Sequence, residues 1–368
     1  MKRNYQVCTR CIMDTSDPEI TFDEKGVCNY CKMYEERAKN ELKSPEELKE
    51  LIKKIKKAGG KCLIGVSGGT DSSMAAYLLK KHGLTPLAVS FDNGWDTDIA
   101  KENVRNLVKK LNLELIEYKV DPEEFKDLQV AFLKASISNA EIPTDHAILA
   151  FLYQLASERG IKYIIHGGNI VTEAIMPKSW GYDSKDLKHL RAIHKKFGKV
   201  KLKNFPQMSL WHWLYYTFIK GIKYIPILNY ISYNREEAKE ILKRELGWQD
   251  YGGKHAESIY TRFFQYYILP RKFKIDKRKA HLSTLINSGQ ITREEALEEV
   301  KKEPYSDKNM MENDKTLVLE KLGLSEEEFE RIMRLPIRSY KDFPNNSFFF
   351  QKDNFLIKMV KRIITNSN

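Results

Sequence analysis

Residues Cys62 to Val66 form a short apolar run that stops at Ser67-Gly68-Gly69-Thr70-Asp71-Ser72-Ser73, and apolar positions at helical spacing follow. That order, strand then glycine turn then helix, leaves few ways to fold. Two glycines allow a tight turn and a close approach of the backbone to a ligand, and the opening of a helix presents unpaired N–H groups and a positive dipole end. The hydroxyls of Ser67, Ser72 and Ser73 can donate hydrogen bonds to phosphate oxygens. The stretch predicts a cradle for phosphate, with a plain strand-to-helix turn capped by Asp71 or Ser72 as the alternative. No lysine follows the glycines, so the common nucleoside-triphosphatase pattern GxxxxGK[ST] is absent.

Around this loop, short apolar runs alternate with helical periodicity, which predicts an α/β fold with a parallel, doubly wound sheet covered by helices on both faces. Strands are expected at Cys62 to Val66, Pro86 to Phe91, Leu113 to Val120 and Tyr163 to Ile165, the last closed by Gly167-Gly168. Between them come a helix from about Ser72, one carrying Val104, Leu107, Val108 and Leu111, and a buried one from Asp145 to Ser157. Upstream, Ser44-Pro45-Glu46-Glu47 opens a helix with cap, proline and capping-box glutamate in place, and Leu48, Leu51, Ile52 and Ile55 make its apolar stripe. Beyond Pro177 the character changes. Met208 to Ile231 is aromatic and reads as helical in parts, Arg235 to Leu246 reads as an ordinary amphipathic helix, and the final third is helical and charged. Two further capping boxes start helices there, at Thr292 to Glu295 and Ser325 to Glu328. The expected division is a metal ribbon over 1–43, the sheet domain over 44–235 and a helical region over 236–368 that contributes to the substrate site.

The first forty residues have few large aliphatics and need another staple. They hold Cys8-Thr9-Arg10-Cys11 and Cys28-Asn29-Tyr30-Cys31, two CxxC knuckles sixteen residues apart, the spacing of a structural zinc site. Four thiolates leave no open coordination position, so the metal reads as a staple rather than a catalyst. An iron–sulfur cluster or a redox dithiol pair are the alternatives. The fifth cysteine, Cys62, lies inside the first strand as a small buried hydrophobe.

An excess of 62 Lys and Arg over 50 Asp and Glu gives +12. This favours polyanionic partners such as nucleotides, nucleic acid or an anionic membrane, or is simply a well-solvated basic surface. The most apolar stretch, Met208 to Ile231, is broken by His212, Lys220, Lys223 and Pro226. It falls short of the run of about 18 apolar residues that a spanning helix needs, so membrane contact is expected to be peripheral at most. The N-terminus has no apolar signal stretch, and cysteines spaced for metal predict the cytoplasm.

The loop resembles the SGGxDS motif of the PP-loop ATP pyrophosphatases, an adenine nucleotide alpha hydrolase-like superfamily that includes NAD synthetase, GMP synthetase, asparagine synthetase and the tRNA thiolases. The resemblance implies that Ser67, Gly68, Gly69, Thr70, Asp71, Ser72 and Ser73 grip the pyrophosphate leaving ATP while a substrate oxygen attacks the α-phosphorus. It implies adenosine contacts from Val89, Phe91 and Asn93, at a carboxyl strand end beside the first strand. Gly167-Gly168-Asn169-Ile170-Val171-Thr172-Glu173 resembles the magnesium-binding segment of NAD synthetase, which adds Gly168 to the ATP site and places Mg²⁺ between Asp71 and Glu173. Either acid also suits a helix cap.

A closer resemblance, from about residue 5 to residue 300, is to the N-acetyl sugar amidotransferases of surface-polysaccharide biosynthesis, also called LPS biosynthesis proteins. It is carried by Cys8 to Thr15, the glycine loop, Pro143-Thr144-Asp145-His146, Tyr251 to Ser258 and Asp276 to Ser283. The resemblance implies an ATP-dependent amidotransferase that turns an acetamido sugar into an acetamidino sugar, with AMP and pyrophosphate as products, in LPS and O-antigen biosynthesis. Ammonia would come from a separate glutaminase subunit and a cyclase-like subunit, similar to those of imidazole-glycerol-phosphate synthase. The chain shows neither a cysteine at position 2 nor a segment large enough for a glutaminase, and Cys62 makes a poor sulfur carrier. Ammonia therefore stands ahead of sulfur as nucleophile, with a tRNA thiolase as the alternative and nucleic acid not expected as a partner. Lys254 is expected to neutralise phosphate charge, and Glu257 to orient substrate or handle a proton. Asp145, His146, Asn169, His255, Arg262, Lys277, Arg278 and His281 are expected to meet a nucleotide-linked, carboxylated sugar, with a solvated charged face around an aromatic core as the alternative for each. A basic amphipathic tail from Phe355 to Ile364 would suit docking on a partner or membrane.

Overall fold

The computed structural model describes residues 4–253, 256–305 and 307–350. Its centre is five parallel strands: β1 (Leu63–Gly65), β2 (Leu87–Asp92), β3 (Leu115–Lys119), β4 (Tyr163–His166) and β5 (Lys223–Pro226). They lie in the order β3-β2-β1-β4-β5, with Leu63 between Leu87 and Ile164. The chain builds outward from β1 to one side and then to the other. The carboxyl ends of β1 and β4 therefore flank a switch point, the crevice in which open α/β sheets bind ligands.

The helices that position the site are α1 (Asn29–Glu41), α2 (Pro45–Lys57), α3 (Thr70–Lys81), α4 (Asp98–Leu111), α5 (Pro122–Ala135), α6 (Ile142–Glu158), α7 (Ile170–Glu173) and α8 (Leu187–Phe197). Alternate strand residues face opposite layers. Ile64, Ala88 and Ile165 pack with α2, α3 and α4, while Leu63, Val89 and Ile164 pack with α6. Each fully buried aliphatic of this kind contributes about 1.5–3 kcal/mol. The capping box of α2 forms as read: Ser44 Oγ accepts from Glu47 N at 3.2 Å, and Glu47 Oε2 accepts from Ser44 N at 2.8 Å.

One element departs from the sequence reading, which stops at four strands. Within Met208 to Ile231 the chain forms α9 (Leu210–Leu214), a π-helical turn over Tyr215–Ile219, and then β5. β5 is an edge strand with two exposed and two half-buried residues, so it carries no continuous apolar signal. Pro226 is tolerated because an edge strand needs only one row of ladder bonds.

The final third adds α10 (Arg235–Leu246), α11 (Ile259–Phe263) running into a π-helix at Phe264–Phe273, α12 (Lys277–Asn287), α13 (Arg293–Lys301), α14 (Lys308–Leu322) and α15 (Glu326–Arg334). The boxes at Thr292 and Ser325 start α13 and α15. One apolar cluster runs from the cysteine knuckles through α5 to α11, α14 and α15. Among the described residues, no helix is long and apolar enough to cross a membrane.

Candidate active site

The glycine loop is pinned from three places. Gly68 has φ +76°, and a Cβ there would lie 2.2 Å from Ala100 O, so only glycine fits. Its carbonyl accepts from Trp248 Nε1 at 2.8 Å and from Asn103 Nδ2 at 3.2 Å. Ser67 Oγ accepts from Gly69 N (3.3 Å) and lies 3.2 Å from Ser72 Oγ, and Tyr251 Oη accepts from Thr70 N (3.3 Å). On the other side the backbone after β4 presses against the first turn of α3: a Cβ on Gly167 would meet Asp71 C at 2.4 Å. That close approach brings Gly168 and Glu173 to the same small chamber as Asp71.

This chamber, about 170 Å³, is lined by Ser67, Gly69, Thr70, Asp71 and Ser72, with Arg235 opposite. Thr70 Oγ1 is buried and has no hydrogen-bond partner among the described residues. Burial works against the Arg235 charge, but Asp71, Tyr251 and Tyr233 outweigh it and raise the pKa. Tyr233 donates its hydroxyl to Asp71 Oδ1, and burial together with the Asp71 charge holds that phenol well above its ordinary value. A helix N-terminus, an orphan hydroxyl and a half-buried guanidinium in one chamber suit a polyphosphate. The two carboxylates at its rim, Asp71 and Glu173, are hard oxygen donors of the kind Mg²⁺ takes.

A second cavity of about 1060 Å³ shares Ser67 and Glu257 with the chamber. At the β2 end it is walled by Val89, Phe91 and Asn93, the residues expected to hold adenosine. Farther along it is walled by Asp145 of α6, by Lys178, and by Thr261, Gln265 and Lys277 of the C-terminal region. Lys277 Nζ lies 3.0 Å from Glu141 Oε2, and Gln265 Nε2 donates to both Glu141 oxygens at 3.0 and 3.3 Å. Asp96 also faces this space. Burial, then the charges of Asp92 and Glu257, push its carboxyl up to about 7 against the pull of Lys101. His166 stacks on Tyr224 at 4.0 Å, and burial pushes its pKa down to about 4 although Glu173 opposes this.

Not every expected residue lines these spaces. Gly68 acts through the turn alone, and Ser73 Oγ is buried on the inner face of α3. His146 is fully buried, with Nδ1 2.6 Å from Ser184 O and Nε2 accepting from Met208 N at 3.1 Å, so both ring nitrogens are engaged away from the cavity. Asn169 caps α7, accepting from Thr172 N at 2.9 Å. Arg262 makes a two-bond pair with Asp314 (2.7 and 2.8 Å), and Arg278 pairs with Asp276 and donates to the Lys302 carbonyl. His281 Nδ1 lies 3.0 Å from Thr172 O, joining α12 to α7. These five side chains brace the wall rather than line it. Lys254, His255 and the tail beyond 350 lie outside the described residues. Sequence reasoning missed Arg235, Asp96 and Lys178, and it placed Tyr251 with the sugar, whereas Tyr251 lines the small chamber beside the glycine loop. Only Asp96, four residues beyond the β2 end, carried a local signal.

At the other end of the C-terminal helices the four knuckle sulfurs lie within 4.8 Å of one another, all fully buried. Sulfur–sulfur distances are 3.6 Å (Cys11–Cys28), 3.7 Å (Cys28–Cys31) and 3.9 Å (Cys8–Cys31). A tetrahedral ion bonded at about 2.3 Å to sulfur sets its ligands roughly 3.8 Å apart, so the donor set fits one metal ion such as zinc. Backbone N–H groups of Arg10, Cys11 and Cys28 point at Cys8 Sγ, and Asn287 Nδ2 at Cys31 Sγ, an environment that favours thiolates.

The strand order and a lysine-free phosphate loop at the β1 end define a nucleotide-binding α/β protein with its ligand cavity at the switch point. Residues 61–177 match the family described as queuosine biosynthesis protein QueC, and residues 257–360 match that described as LPS biosynthesis protein WbpG-like, C-terminal domain. An uncharacterised protein of Methanocaldococcus jannaschii is 26% identical over 309 residues, 80% of this chain and 93% of that one. A glutamine-hydrolysing GMP synthase of Thermus thermophilus is 30% identical over 169 residues, 43% of this chain and 31% of the synthase. A tRNA-specific 2-thiouridylase of Clostridium tetani is 27% identical over 230 residues, 57% of this chain and 55% of that enzyme. This chain thus spans about a third of the synthase and about half of the thiouridylase. Its sheet domain is thus similar to PP-loop ATP pyrophosphatases, and its C-terminal region to the WbpG-like domain of LPS biosynthesis proteins.

Proposed function

We propose that this chain adenylates the acetamido oxygen of a nucleotide-linked N-acetyl sugar and replaces that oxygen with ammonia, giving an acetamidino sugar, AMP and pyrophosphate in O-antigen biosynthesis. One observation carries the reading. Glu257, Thr261, Gln265 and Lys277, from the segment that matches the WbpG-like domain, wall the same cavity as Ser67, Val89 and Phe91 of the nucleotide half. The acceptor therefore meets the α-phosphate where the two matched segments meet.

An amide is a poor electrophile, but its oxygen can attack the α-phosphorus. The bond to pyrophosphate breaks and an O-adenylyl imidate forms. Ammonia adds to the imidate carbon, the carbon–oxygen bond to AMP breaks, and an amidine remains. Arg235, the α3 N-terminus and Thr70 hold the departing pyrophosphate, where donors fixed in advance act on developing charge. Magnesium between Asp71 and Glu173 would supply further neutralisation of that charge. Glu257, shared by both spaces, is placed to orient the amide or take a proton, and Lys277 to meet an acidic group of the sugar. In this reading 1–43 is a zinc-stapled brace, 44–235 activates ATP and 236–368 helps to form the acceptor site. The enzyme works in the cytoplasm with separate glutaminase and cyclase-like subunits.

The thiouridylase likeness favours sulfur transfer to tRNA as a second reading. Against it, Cys62, the one cysteine outside the metal set, is buried at the start of β1, and burial pushes its thiol up to about 12. The assay follows AMP and pyrophosphate with UDP-linked acetamido sugars and ammonium. Release is expected only when both are present, and Asp71→Ala is expected to abolish it. Full release without sugar, or AMP formed on tRNA with a sulfur donor, would overturn the proposal.

A further inference from the structure

The segment Leu210–Leu214 and the turn Tyr215–Ile219 form one ten-residue helical arm in which no side chain is buried. Trp211, Tyr215 and Ile219 are 77%, 44% and 75% exposed, and their spacing of four aligns them on one face. The opposite side rests on the body of the protein: Tyr216 stacks on Tyr153 of α6 at 6.1 Å, and Trp213 packs in the same cluster. A contiguous stripe of tryptophan, tyrosine and isoleucine in water marks a contact surface.

Charge says what the surface meets. Residues 187–234 contain nine Lys and Arg and no Asp or Glu, most of the net +12 of the chain. Near 200 the basic stretch is tied to α5, where the Asp127 carboxylate accepts from the Lys199 and Val200 N–H groups. Beside the stripe it is not. Lys220 and Lys223 are exposed, in no ion pair among the described residues, and Lys162, also exposed, lies alongside because its carbonyl accepts from Lys223 N at 2.8 Å. Glu158 acts on the arm electrostatically, through Tyr216.

We propose that this face is a peripheral membrane contact. Trp211, Tyr215 and Ile219 enter the headgroup boundary of a bilayer, and Lys162, Lys220 and Lys223 sit over its anionic lipids. Indole and phenol rings suit that boundary because one end is apolar and the other wet. A single-stranded nucleic acid would use the aromatic rings but not Ile219, and the lysines gather at one end of the stripe instead of tracking a strand. Tyr224, exposed on neighbouring β5, also lines the large cavity, so docking sets the cavity beside the lipid surface.

Flotation of the full chain with vesicles tests this. Binding is expected with about 30 mol% phosphatidylglycerol and not with phosphatidylcholine alone, and it should weaken as salt rises. Trp211→Ser with Ile219→Ser is expected to lower partitioning at least about tenfold, and Lys220→Ser about fivefold, with the circular-dichroism melt unchanged. Brominated lipids should also quench tryptophan emission in the unmodified chain, because Trp95, Trp180 and Trp248 are buried and only Trp211 is well exposed. No binding to anionic vesicles, no quenching, or equal binding by the double variant would overturn the proposal. So would tRNA binding that the same variants abolish while vesicles are ignored.

Discussion

Arg235 is the first residue of an otherwise ordinary amphipathic helix, and it lines the chamber of the glycine loop, so under the proposed function it is the cation that meets the leaving pyrophosphate. Arg235→Ala should lower AMP release by about 10²–10³-fold, the usual cost of one donor aimed at developing charge, and Arg235→Lys should recover part of it. Asp96 gives a pH signature. Its carboxyl titrates near 7 in the fold, through burial and the charges of Asp92 and Glu257, and near 4 in the unfolded chain. The folded state therefore holds the extra proton, so this contribution to stability is complete below about pH 4 and is lost as pH rises through 7. Asp96→Asn should gain on the parent chain between pH 5 and pH 8 by on the order of 2 kcal/mol, read from urea midpoints at the two pH values.

At the scale of elements, the loop works because two backbones touch it without side chains between. Gly68→Ala must accept a left-handed φ and a clash with the Ala100 carbonyl, and Gly167→Ala a clash with Asp71 and Ser72. Each should cost about 3 kcal/mol or more in urea denaturation. Trp248→Phe removes only the hydrogen bond to the Gly68 carbonyl, so it should raise the KM for ATP several-fold while the fold survives. Four strands, the capped helices, the glycine loop and the cysteine knuckles were all legible in the sequence because each is written as a pattern within a few neighbouring residues. β5 was not, since an exposed edge strand has no apolar run to read. The division of the basic residues was also hidden. Lys277 reaches the cavity while Arg262 and Arg278 turn to Asp314 and Asp276, and the Arg262 partner lies 52 positions away.

For the molecule as a whole, the cysteine cluster is a joint. Ile12 N donates to Ser283 Oγ (3.2 Å), Arg293 donates to the carbonyls of Cys8 and Cys11 (both 3.1 Å), and Lys279 pairs with buried Asp14. Metal analysis should find one zinc per chain. Chelation or Cys11→Ser should lower Tm by on the order of 10 °C, and Arg293→Ala by less, because the ion orders a segment with few aliphatics of its own.

The joint also fixes an order of events in the cell. The knuckles leave the ribosome before their partners: the serine that receives the Ile12 amide follows 271 positions later and the arginine on Cys8 follows 285 positions later. Until those residues are synthesised the sulfurs have no seat. An interrupted nascent chain would thus expose a cysteine ribbon with nothing to rest on.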